Sequence, residues 1–338
     1  MYTRRNIRFP VVLRLSSKHF LIFAVWSSFL TGAYLWLLPT GIDLSLPIAP
    51  VSTIGVAVAF YIGFKNNQAY DRYWEARKIW GGIVNASRSF ANLTLTFVSA
   101  DHSDQTVDND FVRSQQRDLI YRQLAWMHSL RFQLRRKTPF GFEPTGAARG
   151  FMQKTDVKAM REYLCELLPE QELSVACERV NSATQIMRMQ GEHLRKLSDE
   201  HKLLTEFRLI ALTDLVTEMY TLQGKCERIK NTPFPRQYAY FSLVFTYIFV
   251  FLLPFGILRE LGSSENSLIW LTVPLSAVIS WIFYTMESVG DASEDPFENF
   301  VTDVPMTALC RTIEIDLRQM LGETEVPKPL TPVNDVLM

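Results

Sequence analysis

The chain has 338 residues, 48% of them hydrophobic, which suits either two soluble domains or a small membrane protein with a soluble part. Lys plus Arg equals Asp plus Glu at 35 each, so no net field recruits nucleic acid. The cysteines (Cys165, Cys177, Cys226, Cys310) form no CxxC pair and the five histidines show no metal-ligand spacing, which speaks against a disulfide framework or a zinc centre.

The first eighteen residues carry Arg4, Arg5, Arg8, Arg14 and Lys18 and no acid. A charge-free apolar segment follows, Phe20–Leu38, close to the roughly 20 residues that cross a bilayer. A second span opens around Leu44 and ends near Phe64, with Pro47 and Pro50 where a helix start tolerates proline. No proline follows until Pro139, so this helix is expected to leave the membrane and continue into KNNQAYDRYWEARKIWGG, Lys65–Gly82. Val56, Phe60 and Phe64 recur at i, i+4 and i+8 and share one face. In a bundle, that stripe would ring an axis and hand over to Asn67, Gln68 and Asp71, as in a pore with an apolar constriction. The same stripe equally serves packing against another helix. Beyond it, Arg72, Glu75, Arg77 and Lys78 have partners at i+3 to i+5 and are expected in intrahelical or intersubunit pairs.

The polar stretch from Lys65 to Gln237 reads as helical. Leu119, Ile120, Leu124, Met127 and Leu130 form one apolar face, and Leu215, Met219, Leu222 and Cys226 another. Loops are expected at the acidic Asp101–Asp110 and the Gly/Pro-rich Lys137–Gly150. Two further spans, Tyr238–Leu258 and Leu268–Met286, complete the set, with Trp36, Tyr238, Trp270 and Tyr284 near their ends. The loop between spans one and two has no Lys or Arg, and that between spans three and four has only Arg259. The positive-inside tendency then puts both termini and the large polar segment on the cytoplasmic side of a plasma (inner) membrane. The tail Glu325–Met338 holds three prolines and is expected to lack fixed structure. The expected fold is all-α, in four segments: 1–68 with spans one and two, 69–236 cytosolic, 237–290 with spans three and four, and 291–338 as C-terminal segment and tail.

No GxGxxG, Walker loop, HExxH or GxSxG occurs. The acidic run Asp291–Asp303 fails as an EF-hand loop: Pro296 stands where Gly is needed and Thr302 where the final Glu should be. A looser oxygen-ligand site from Asp295, Glu298 and Asp303 stays open, beside a solvated turn whose acids cap the next helix. Two other function classes go with this pattern. One is a metal-dependent membrane enzyme built on those acids. The other is a membrane-anchored scaffold whose helices bind a partner.

FYIGFKNNQAYDRYWEARKIWGG, CERIKNTPFP and EDPFENFVTD, in this order around four spans, resemble the bestrophin family in its bacterial form. The resemblance runs from about Arg8 to Leu321. It implies not an enzyme but a homopentameric channel for small inorganic ions in the lipid bilayer, its axial pore narrowing twice. The upper neck would be lined by Val56, Phe60 and Phe64, and the cytosolic aperture by Phe234, the residue between the prolines of NTPFP. Animal members bind calcium in a clasp that follows an Asn-Pro-Phe segment. Asp295, Pro296 and Phe297 match its start and Asp303 a later acid, but Asn299 and Phe300 stand where intervening acids belong, beside Glu298. Two lost carboxylates weaken a hard-cation site, so flux independent of calcium is expected. Ion sign stays open between chloride and sodium, because Val and Phe carry no formal charge.

Overall fold

The computed structural model describes residues 1–6, 9–102, 107–138, 157–262 and 268–338, without the side chains of 9–16 and 102. Arg8, the side chain of Arg14, residues 103–106 of the acidic loop and 139–150 of the Gly/Pro-rich loop lie outside the described residues. Among the described residues the regular structure is all helical, with two isolated β-bridges and no strand. The helices are α1 (Phe9–Leu37), α2 (Ile48–Phe97), α3 (Asn109–Leu134), α4 (Val157–Leu164), α5 (Glu170–Glu178), α6 (Ser182–Asp199), α7 (Glu206–Asn231), α8 (Arg236–Gly262), α9 (Thr272–Ser293) and α10 (Met306–Met320).

Among the described residues, four helices are long and apolar enough to cross a membrane: Ser17–Thr40, Ile48–Phe97, Arg236–Gly262 and Ile269–Ser293. The second is a continuous helix of 50 residues. Its apolar part starts at Ile48 rather than Leu44. Pro47 lacks an N–H, and the Leu46 N–H donates to the Phe255 carbonyl at 3.1 Å instead of entering a helical turn. Pro50 then sits in the first turn, where its missing donor has no intrahelical partner to lose.

The chain forms two units. The span unit comprises Arg4–Arg72 and Phe234–Glu294. Its α2 buries positions 51, 55, 58, 62, 65 and 69, a 3.5-residue repeat of coiled-coil type. Val51, Val58 and Ile62 pack with Phe249, Leu253 and Ile257 of α8. Gly55 allows the approach, since a Cβ there would lie 2.6 Å from the Phe249 ring. A second cluster joins Leu30 and Tyr34 of α1 to Leu258 and Ile269.

The helical unit comprises Met1–Thr3, Tyr73–Pro233 and Asp295–Met338. Its centre is α3, whose Leu119, Ile120, Leu124, Met127 and Leu130 are all fully buried, as their spacing requires. Met219, Leu222 and Cys226 of α7 join the same core, with Leu215 partly buried beside it. Trp126 is also fully buried, and its indole N–H donates to Gln223 Oε1 at 2.9 Å.

The tail departs from expectation. Thr3 N–H donates to the Asp335 carbonyl and Leu337 N–H to the Met1 carbonyl, both at 2.8 Å, and Ala308 N–H reaches the Met338 carbonyl at 2.8 Å. In the first two, backbone donors and acceptors from opposite ends of the chain satisfy one another, a pairing that local propensity does not register.

Candidate functional site

On α2, the residues opposite the buried seam are uncovered. Val56 is 57% exposed, Phe60 66% and Phe64 62%, while Val58 and Ile62 between them are buried. Asn67, Gln68 and Asp71 are exposed as well, so the polar hand-over continues on the open side of the helix. The chain's own core does not use this stripe. Large apolar side chains left this open mark a surface whose environment lies outside the chain.

Phe234 is placed differently. It is buried, with its ring 6.2 Å from that of Tyr238, which in turn stacks on Tyr61 at 4.4 Å. Pro233 and Pro235 explain the sharp local geometry, because each fixes its own φ and biases its predecessor toward an extended backbone. Within the chain, Phe234 therefore faces its own unit, unlike Phe60 and Phe64.

From Asp295 onward the acidic run belongs to the helical unit, where Glu298 and Asp303 have partners of their own. Glu298 forms a buried ion pair with Lys230. Burial raises the Glu298 carboxyl above its usual range, and Lys230 opposes that shift. Asn299 has a φ of +72°, a left-handed conformation that Asn tolerates better than most residues. The turn aims the Phe300 N–H at Asp303 Oδ2, 3.0 Å away. Burial pushes the Asp303 carboxyl up to about 7, Glu298 adds to this, and the N–H groups of Phe300 and Asn299 counter it.

The expected capping of the following helix is not what Asp303 does. Pro305 occupies the N-cap of α10 and makes no side-chain cap bond, having no acceptor on its ring. Asp303 bonds back toward Phe300 instead. Of the residues matched to the clasp, Glu298 is held by an ammonium, Asn299 and Phe300 bring no carboxylate, and Asp303 accepts from the Phe300 N–H. Among the described residues, no three His, Cys, Asp or Glu side chains converge as a metal-holding group. Glu75 also differs from expectation, pairing with Arg228 of α7 at 2.7 Å rather than within its own helix.

One cluster escapes sequence reasoning. Lys65, next to Phe64, is fully buried and pairs with Glu287 and Asp291 of α9. Ser242 of α8 donates to the other Glu287 oxygen at 2.6 Å. Asn66 Nδ2 donates to the Met286 carbonyl at 2.9 Å. Gly290 permits that contact, since a Cβ there would lie 2.1 Å from Asn66 Oδ1. The available signal was spacing: Lys65 falls seven residues after Val58, on the buried seam, and the first acid of span four is Glu287.

Comparison with known proteins gives four matches. The family model for bacterial and fungal bestrophin proteins matches residues 5–319. The voltage-dependent anion channel-forming protein YneE of Escherichia coli (strain K12) is 30% identical over 302 residues, which is 89% of this chain and 86% of that protein. A protein of Mesorhizobium japonicum with the same description is 29% identical over 313 residues, 91% of this chain and 85% of its own length. Among solved structures, a bacterial bestrophin homolog from Klebsiella pneumoniae matches with a TM-score of 0.74 and 26% identity, covering 91% of this chain and 98% of that one.

Proposed function

This chain belongs to the bacterial and fungal bestrophin family, and on that premise we propose that it is a homopentameric ion channel of the inner membrane. The observation that carries this reading is the exposed Val56, Phe60 and Phe64 stripe on a membrane helix whose opposite face is buried in its own unit. A cyclic ring of subunits gives every copy of that stripe the same axial environment and closes the assembly. Five is the number that the family resemblance implies.

The stripe forms the neck. A narrow tube of Val and Phe resists ions by dewetting rather than by charge, so the neck limits rate and does not select sign by Coulomb attraction. Sign is set below it, where Asn67, Gln68 and Asp71 line the vestibule. Phe234 makes the second narrowing at the cytosolic aperture, the place that the family resemblance gives it. Both termini and the helical unit are cytoplasmic, in keeping with the basic N-terminus and the span-connecting loops poor in Lys and Arg.

Flux through this channel does not require calcium, since Glu298 is held by Lys230 and Asp303 by a backbone N–H, and Asn299 and Phe300 bring no carboxylate. The test is flux in liposomes reconstituted with purified protein, measured across a calcium titration with a chelator control, beside a detergent-corrected mass. The expected result is flux that stays level through the micromolar range, from a particle of five chains. A scaffold or a metal-dependent enzyme would give no flux, and a steep calcium requirement abolished by Asp295→Ala would contradict calcium independence.

A further inference from the structure

Lys65 occupies a position that the seam of α2 otherwise gives to apolar or small residues: Val51, Gly55, Val58, Ile62 and Ala69. A single polar residue in such a seam fixes register at some cost in stability. Apolar contacts are non-directional, so Val58 and Ile62 let a helix roll slightly against its neighbours. A buried ammonium held between two carboxylates is directional. Lys65 pins α2 to Glu287 and Asp291 of α9, and Asn66 adds the bond to the Met286 carbonyl. Ser242 of α8 takes the second Glu287 oxygen, so three helices meet in one network.

Adjacent helix residues point about 100° apart, so a tie at Lys65 sets the azimuth of Phe64, one residue before it, and of Phe60, five before it. We propose that the Lys65, Asn66, Glu287 and Ser242 clamp is a positioning device that holds the Phe60 and Phe64 rings at the angle determining neck width. This rests on the reading of that stripe as the neck. Neither Lys65 nor Glu287 touches the ion path, since both are buried in the span unit.

The test is a cycle of four reconstituted proteins: wild type, Lys65→Met/Glu287→Gln, Phe60→Ala/Phe64→Ala, and all four substitutions together. The clamp variant removes the ion pair without stranding a buried charge at Glu287, and Gln still offers Ser242 an acceptor. Assembly is checked by particle mass and conduction by liposome flux. With the native neck, the clamp variant is expected to change flux by about threefold or more, and with the widened neck by less than that, the non-additivity of coupled sites. A smaller change in the native neck overturns the proposal, as does an equal change in both backgrounds. If the clamp variant does not assemble, Asn66→Ala decides by the same comparison, since it removes one arm and leaves the ion pairs. If Phe60→Ala/Phe64→Ala itself leaves flux unchanged, the neck reading fails, and the clamp proposal with it. A clamp without effect beside a neck that responds overturns this proposal alone.

Discussion

The stripe on α2 and the acid segment differ in what they leave open to their surroundings. Val56, Phe60 and Phe64 leave more than half of each side chain uncovered, whereas Glu298, Asn299 and Asp303 are at most 7% exposed. Apolar groups turned outward on a helix whose other face is packed are reserved for an environment that the chain does not supply. Turned inward, Glu298 is held by Lys230 and Asp303 accepts from the Phe300 N–H, so these two carboxylates are occupied within the chain.

The sharpest way to break that contrast is the same substitution in both regions. Phe297→Ala removes a fully buried ring from the helical unit and is expected to cost about 3–5 kcal/mol, seen as loss of folded, assembled protein. Phe60→Ala and Phe64→Ala remove exposed rings, so the unfolding midpoint stays close to wild type while liposome flux rises. Equal loss of stability in all three would show that the stripe is core.

A second test addresses the Lys230–Glu298 pair. Lys230→Met strands a buried carboxylate and is expected to destabilise by about 3–5 kcal/mol, whereas Lys230→Met/Glu298→Leu recovers most of that loss. Denaturant unfolding in detergent separates the two, and a double variant as weak as the single would contradict the account.

The acid segment also has a pH signature. The Asp303 pKa rises from its ordinary 3.8 to about 7, so its contribution to stability is full below 3.8 and is lost as pH climbs through 7. His128, buried in the helical unit, has its pKa lowered from 6.5 to about 4 by burial, and its contribution runs the other way, lost as pH falls from 6.5 toward 4. Asp303→Asn is expected to abolish the loss on the rising side and leave the acid-side loss in place. Thermal midpoints across pH 4 to 8 check this, and an unchanged profile would count against the buried, protonated form of Asp303.

Much of this contrast was legible from spacing alone. The four spans, the run of α2 past Phe64 and the core face of α3 all follow from periodicity, a local property of the chain. What escaped reading depends on partners far along the sequence. Lys65 looks like the first residue of a polar segment until Glu287, 222 residues away, meets it. Phe234 reads as a turn residue, and only Tyr238 and its stack on Tyr61 show that its ring is covered. Glu75 finds Arg228 rather than a neighbour on its own helix, and the tail finds the first residues of the chain. Charge and hydrogen-bond partners are chosen in three dimensions, and helical periodicity is not.

The smallest expected effect lies at the join between apolar stripe and polar vestibule. Asp71→Asn removes one exposed carboxylate per subunit and is expected to shift the permeability ratio toward anions by about twofold, with rate little changed. Reversal potentials under a salt gradient measure it, and a shift toward cations would place the sign filter elsewhere.

The central claim, that the uncovered side of α2 lines the ion path, is tested most directly by thiol substitution along that helix. Val56→Cys, Phe64→Cys and the seam control Ile62→Cys are reconstituted and treated with a bulky, water-soluble thiol reagent while flux is recorded. The wild type, with its native cysteines, is treated in parallel. Block of the Val56→Cys and Phe64→Cys channels, with Ile62→Cys and wild type unaffected, is the predicted result. Stripe cysteines that react without any change in flux would contradict it.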